Sequence, residues 1–377
     1  MPDPARWISD RAHATEVSGI RRVFDLGKSL KDPVNLSIGQ PHFPVPEQIR
    51  AAAKAAIDAG KNGYTVTQGS ADLRDRLTAD VKVRFPGQDR PVLVTSGTSG
   101  GLLLALLATV NPGDEVVVPD PYFVAYPNLV HIVGGVMVPV DCDPPGFAVD
   151  PDRVAAAITP RTKVVLLCSP SNPTGAVTPP DAMRRIAEVC RDRGVLLVSD
   201  EIYRAFHYDG PPRSPAEFDS DVLVVEGFGK TYGVTGWRLG FAHGPAAVVE
   251  EMTKLQQFTY VCAPAPFQAA AVAALDFDVS GIVADYKRKR DYLVERLRPA
   301  YDVASPGGAF YLFPRVPAGY PDGTAFTAAA VRENLLVIPG GVFGRHDTHF
   351  RVSYAAPDAV LERGAEILLR MARAGDR

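Results

Sequence analysis

The stretch "GFGKTYGVTGWRLG", Gly227 to Gly240, holds one lysine, Lys230, among small and flexible residues, and one arginine, Arg238, a short step later. Its flanks, "VLVVEGF" and "RLGFAHG", are apolar and read as buried strands. A lone amine between buried strands is costly unless it has a partner or a task. The task that suits an amine there is covalent bonding to a carbonyl. Other apolar runs also end in reactive types. "KVVLLCS" leads into Pro170-Ser171-Asn172-Pro173-Thr174-Gly175, "VLLVS" into Asp200-Glu201-Ile202-Tyr203, and "VLVT" into Ser96-Gly97-Thr98-Ser99-Gly100-Gly101. Small residues with free amides at the start of a helix can seat a phosphate. Taken alone, that glycine-rich stretch is equally a structural turn, and it is no Walker loop, since no GK[ST] follows. "SNPTG" likewise reads as well as a simple turn. An acid closing an apolar strand needs a partner, and a protonated ring nitrogen would be one.

These residues need elements to bring them together. From Pro91 to His243 apolar runs recur: "VLVT", "EVVVP", "VMVPV", "KVVLLCS", "VLLVSD", "VLVVEG" and "RLGFAH". Most are continuous rather than alternating, as in strands buried on both faces. Helical stretches separate several of them. One is "SGGLLLALLATV"; another is "TPPDAMRRIAEVCRDRG", with Thr178 the expected N-cap and Gly194 the expected stop. Strand alternating with helix predicts an α/β fold with a mostly parallel sheet. Ligands of such sheets bind at the carboxyl ends of the strands. A phosphate seat, an amide, a carboxylate, a phenol, an amine and a guanidinium therefore converge on one edge. Each has an ordinary structural reading, but together they describe a site for pyridoxal 5'-phosphate. That cofactor needs a lysine for its aldehyde, an acid on its pyridine nitrogen, donors to its phenolate oxygen and a phosphate clamp.

The chain resembles the class I/II aminotransferases of the fold type I pyridoxal-phosphate enzymes almost end to end. The resemblance is carried by "LSIGQPHFPVPEQI", "NGYTVTQGSADLRDRL", "PDPYFVAYPNLV", "SPSNPTG", "VSDEIYRAF", "GKTYGVTGWRLG", "GAFYLFP" and "FRVSYA". It implies a large domain with a mostly parallel seven-stranded sheet and a smaller α+β domain. It also implies a role for each matching residue. Lys230 bonds the cofactor aldehyde and moves the substrate proton. Asp200 holds the pyridine nitrogen protonated, and Tyr203 and Asn172 bond the phenolate oxygen. Tyr122 stacks on the ring. Gly97, Thr98, Ser99 and Arg238 hold the phosphate, joined by Tyr64 from a neighbouring subunit, so that a homodimer shares its sites. Arg351 grips the substrate α-carboxylate, a bidentate task lysine does poorly. Asn172 and Gly39 lie against the same substrate. One departure stands out. The family usually carries serines close before the lysine, where this chain has Gly227 and Gly229. A phosphate hydroxyl is thereby lost, and Thr98, Ser99 and Tyr64 are expected to compensate.

Composition sets the remaining bounds. The 377 residues are 46 % hydrophobic and carry a formal net charge of −3, with no basic footprint for nucleic acid and no polybasic stretch for a membrane surface. The longest apolar run, Gly101 to Val110, is far below the about 18 residues of a membrane helix. The opening "MPDPARWISD" lacks the features of a signal peptide, so a cytoplasmic protein is expected. Four scattered cysteines, Cys142, Cys168, Cys190 and Cys262, read as reduced core thiols. His346 and His349 in "HDTH" read as a polar loop rather than a zinc site. The expected organisation is an N-terminal arm over 1–40, a large cofactor domain over 41–280 and a small domain over 281–377. The expected function is amino transfer from an L-amino acid to a 2-oxo acid, 2-oxoglutarate by family habit, in ping-pong order. A C–S β-lyase or related synthase of the same fold is the alternative.

Overall fold

The computed structural model describes residues 3–28 and 30–375. A short strand β1 (Val34–Asn35) precedes seven strands of one sheet: β2 (Val92–Thr95), β3 (Glu115–Asp120), β4 (Val136–Asp141), β5 (Thr162–Cys168), β6 (Leu196–Asp200), β7 (Leu223–Gly227) and β8 (Gly240–His243). Their spatial order is β2-β8-β7-β6-β5-β3-β4. All neighbours are parallel except β8, which runs antiparallel to both β2 and β7. The continuous apolar runs have the predicted cause. Successive side chains leave a strand on opposite faces, and both faces here are covered. In β7, Val224 joins the core on one side with Val94, Val165 and Leu197, while Leu223 and Val225 join the core on the other with Leu93, Leu166 and Val198.

The reversal of β8 matters for chemistry. Gly240, its first residue, pairs with Thr95 and with Gly227, the last residues of β2 and β7. Arg238, which precedes β8 in the chain, is thereby delivered to the same edge as the residues that follow the parallel strands. The helix Gly97–Thr109 starts at that edge, directly after β2, and its N-cap Ser96 makes no side-chain capping bond. The helix after β5 spans Pro180–Arg193 and ends at Gly194 in the left-handed conformation, as expected. Thr178 is not its N-cap. Two prolines, Pro179 and Pro180, move the helix start onward, and the Thr178 amide instead donates to Ser169 Oγ at 3.0 Å.

A second layer follows. Helix Ser280–Leu297 and the C-terminal helix Asp358–Gly375 pack with β9 (Tyr311–Leu312), β10 (Leu335–Leu336), β11 (Ile338–Pro339) and β12 (Phe350–Ser353). Strands β11, β12 and β9 form an antiparallel sheet, and β10 pairs with β1. Val34 and Leu36 are buried in this C-terminal core. So are Tyr203 and Phe206, which follow β6, and they tie the large sheet to the small one. All four cysteines are unpaired. Among the described residues no helix is long and apolar enough to cross a membrane.

Candidate active site

A cavity of about 300 Å³ opens at the carboxyl edge of the large sheet, roofed by the C-terminal layer. Its wall brings together Gly39, Gly97, Thr98, Ser99, Asn172, Asp200, Tyr203, Lys230, Arg238 and Arg351. Residues from both ends of the chain and from four strand ends meet there.

Lys230 reaches into the cavity from the turn after β7, and its amine donates to the carbonyl of Gly39. Burial, reinforced by the positive charges of Arg351 and Arg238, lowers the amine to about 8, against the pull of Asp200. Asp200 ends β6 and is buried. Tyr126 donates to its Oδ2 at 2.7 Å and the amide of Ile202 to its Oδ1 at 3.2 Å. Burial raises this carboxyl to about 6, and the two hydrogen bonds and Lys230 restrain the rise. The Tyr203 hydroxyl lies 2.8 Å from that of Tyr311 and accepts a long bond from Asn172 Nδ2 at 3.4 Å.

Arg351 is the largest fully buried side chain among the described residues. Its Nη1 donates to Asn172 Oδ1 at 3.0 Å and its Nη2 to the Ser37 carbonyl at 2.6 Å. The guanidinium carbon sits 4.5 Å from the centre of the Tyr311 ring and 4.7 Å from that of Phe343, a cation held between two aromatic faces. Its Nε is buried without a partner. Among the described residues no carboxylate lies within ion-pairing distance of this guanidinium, and a buried cation so placed is suited to an anion brought from outside.

At the phosphate end, Arg238 takes the left-handed conformation at φ 52° and donates from Nη1 to the carbonyl of Thr235 at 3.0 Å. Thr98 Oγ1 is buried and has no hydrogen-bond partner. An orphaned hydroxyl beside the open start of a helix and a fixed guanidinium fits a phosphate. The departure at Gly227 acquires a geometric reason here. A Cβ on Gly227 would fall 2.5 Å from Thr98 Oγ1 and 2.8 Å from Ile202 Cδ1. Thr98 occupies the space that a side chain at 227 would need.

Two expected residues stand elsewhere. Tyr122 does not line this cavity; Phe123 does. The side chain of Tyr122 faces a separate small cavity, and its amide donates to the Phe343 carbonyl at 2.7 Å. The segment leaving β3 turns neighbouring side chains to different sides, so the aromatic wall is supplied one residue later. Tyr64 is 85 % exposed and lies in a groove with Lys61, Thr65 and Ala265, outside the cavity of its own chain. Other wall residues carried no expected role, among them Ile20, Phe123, Tyr126 and Tyr311. Phe123 and Tyr126 stand in "PDPYFVAYPNLV" and Tyr311 in "GAFYLFP", so those motifs held the signal. Ile20 had none.

The family description "Aminotransferase class I and II" matches residues 31–368. The chain belongs to this family. It is 33 % identical to the aspartate/prephenate aminotransferase of Thermus thermophilus over 97 % of this chain and 99 % of that protein. It is 32 % identical to aromatic-amino-acid aminotransferase 2 of Thermococcus litoralis, over 95 % of this chain and 96 % of that one. The solved structure of Thermus thermophilus aspartate aminotransferase with maleate superposes with a TM-score of 0.92 at 33 % identity, covering 97 % of this chain and 99 % of that one. The fold is thus the type I transferase fold, the protein is an aminotransferase, and its family uses pyridoxal phosphate.

Two predictions follow from this geometry. Replacing Gly227 by alanine forces a Cβ onto Thr98 and should destabilise the aminotransferase by about 1–3 kcal/mol, with weaker retention of cofactor. Urea unfolding and the phosphate-dependent rise in melting temperature check this; an unchanged protein would show the contact has slack. The second concerns pH. Asp200 is raised from its ordinary 3.8 to about 6, so the folded state holds the extra proton in that window and stability falls as pH rises through it. Lys230 is lowered from 10.5 to about 8, so stability recovers as pH rises from 8 toward 10.5. Protein stripped of cofactor should therefore be weakest between those values, by on the order of 3 kcal/mol from each group. Unfolding at fixed ionic strength across this range should show the dip, with Asp200→Asn flattening its acid side and Lys230→Met its alkaline side.

Proposed function

We propose that this aminotransferase holds pyridoxal 5'-phosphate in the cavity and moves an amino group from an L-amino acid to a 2-oxo acid, 2-oxoglutarate foremost, in ping-pong order. The observation that carries this reading is the meeting of Lys230, Asp200 and Arg351 in one cavity. When bound, the cofactor supplies an aldehyde for the amine and a ring that accepts the electron pair left on the substrate α-carbon.

The protein's own groups do the rest. Lys230 Nζ, lowered to about 8, has a far larger neutral fraction near physiological pH than an ordinary lysine, and in that form it can take the substrate's α-proton and give it back. Asp200, fixed by Tyr126 and Ile202, is the partner for a protonated ring nitrogen. Tyr203 and Asn172 present hydrogen bonds to the ring oxygen, and Phe123, rather than Tyr122, flanks the ring. Gly97, Thr98, Ser99 and Arg238 clamp the phosphate. Arg351 takes the α-carboxylate through its unpartnered Nε and a neighbouring amino group, beside Asn172 and Gly39. The amino donor is sought among acidic and aromatic amino acids, for which the Thermus and Thermococcus relatives are named.

We further assign the molecule to a homodimer with shared sites. Tyr64, which matches the family's phosphate-binding tyrosine, is exposed in the single chain and stands outside that chain's own cavity. A second subunit would give it a phosphate to reach. The domain division is taken at residues 40 and 280. The cytoplasm suits the four unpaired thiols.

Lys230→Ala should keep the fold by circular dichroism yet lose all turnover and all borohydride-fixed cofactor. A variant still fixing cofactor would overturn the assignment of Lys230. A screen of amino donors against 2-oxoglutarate and pyruvate should yield oxo acid and a new amino acid in equal amounts. Release of ammonia and thiol without amination of the acceptor would favour the β-lyase reading. For the dimer, Tyr64→Phe should weaken cofactor retention roughly ten- to hundred-fold, the loss of a hydrogen bond to a charged group. Mixing Tyr64→Phe and Lys230→Ala chains should restore activity above either parent, because both lesions can then fall in one site and leave the other whole. No recovery in the mixture would rule the shared site out.

A further inference from the structure

The segment from Gly340 to Asp347 runs between the small sheet and the carboxyl ends of β3 and β4, and it is fastened at both ends. On the small-sheet side, Asp347 accepts from the amide of Gly341 at 2.8 Å and from the amide and hydroxyl of Thr324 at 2.9 and 2.6 Å. On the large-sheet side, Arg345 is the fastener. Its amide and its Nε donate to Asp120 Oδ2 at 3.1 and 3.2 Å, and its Nη2 donates to Asp141 Oδ1 at 2.7 Å. His346 Nε2 lies 3.3 Å from the same Asp141 oxygen.

Asp120 and Asp141 are register neighbours on adjacent parallel strands, so their carboxylates stand side by side and repel unless a cation bridges them. Asp120 is 3 % exposed, and a buried carboxylate needs its partner far more than a surface one does. Gly344 fits so closely that a Cβ there would fall 2.1 Å from Asp120 Oδ1.

Between the two fastenings lies Phe343. It is fully buried, its ring covers the guanidinium of Arg351 at 4.7 Å, and its carbonyl receives the Tyr122 amide at 2.7 Å. Tyr122 directly precedes Phe123 of the cavity wall. One short segment therefore joins the strand ends, the aromatic wall and the cover over Arg351.

We infer that Arg345 is a positioning residue for substrate binding: bridging Asp120 and Asp141, it clasps Phe343 over Arg351 and so holds that guanidinium in place for the substrate carboxylate. The inference rests on the assignment of Arg351 to that carboxylate. It has a distinctive consequence. Amino donor and oxo acid present the same carboxylate, so loosening the clasp penalises both alike. A change in the pocket for the side chain would penalise them unequally.

The test is steady-state kinetics on the cofactor-loaded protein, with the fastest donor of the screen and the better of 2-oxoglutarate and pyruvate. Arg345→Gln should raise both KM values by a common factor of about tenfold, with kcat changed less than about twofold and cofactor content unchanged. Asp141→Asn, at a half-exposed position, should raise both by about threefold. Arg345→Lys should restore part of the loss, since it keeps the charge but not the two-carboxylate fork. Unequal changes in the two KM values, or a lowered melting temperature with both KM values unmoved, would overturn the clasp. Arg351→Lys separates the two ideas. If it raises both KM values while Arg345→Gln and Asp141→Asn leave them unmoved, only the clasp fails; if Arg351→Lys leaves them unmoved, the carboxylate assignment fails and the clasp with it.

Discussion

Three cations and one carboxylate share a single pocket, and that electrostatic crowding governs the design around it. The positive charges of Arg351 and Arg238 disfavour the charge on Lys230, and burial disfavours the charges of both Lys230 and Arg351. Among the described residues Asp200 is the only acidic group of the cavity wall. Excess positive charge, poorly solvated, is a cost to the folded chain and an attraction for anions. A phosphate and a carboxylate are the anions that such a pocket suits. Lys230 gains from the same crowding, because lowering its amine toward neutrality is what a proton-transferring lysine needs.

The surroundings fix these charges by hydrogen bonds and aromatic contacts rather than by local ion pairs. Tyr126 from the helix after β3 steadies Asp200. Asn172 after β5 steadies Arg351, and Tyr311 on β9 meets both Tyr203 and the guanidinium of Arg351. A neutral partner orients a charged group without cancelling its charge. Ion pairs do occur nearby, but behind the pocket. Glu226, one residue before Gly227, is held well below the usual carboxylate range, to about 2, against its burial, by Arg84 and His243. That buried network braces β7 while leaving its terminal turn free to carry Lys230.

Sheet topology adds a constraint of its own. Parallel strands send whatever follows them to one edge, and this accounts for Thr98, Asn172, Asp200 and Lys230. Arg238 precedes its strand, and it reaches the same edge only because β8 runs the other way. The close pairing of Gly240 with Gly227 and Thr95 then leaves little room. In that confined corner Gly227 yields its side-chain space to Thr98.

How much of this was legible in the sequence depends on which forces set each feature. The apolar runs that make the large sheet, the residues ending its strands, and the motif around Lys230 are local patterns. Strand period, helix stops such as Gly194 and strand-end chemistry can be read from neighbours in the chain. Ten of the twelve expected site residues meet in the cavity; the parallel strand ends account for Thr98, Asn172, Asp200, Lys230 and their neighbours, whereas the places of Gly39 and Arg351 were legible only through the family resemblance. What the sequence left undecided depends on rotation and distance. Whether Tyr122 or Phe123 faces the pocket turns on the dihedral path of a few residues after β3, and both are aromatic. The partnership of Asp200 with Tyr126, the seating of Arg351 between Tyr311 and Phe343, and the approach of Ile20 join residues remote in sequence. Only tertiary packing brings those partners within a few ångströms, since no local spacing encodes a contact made across two sheets.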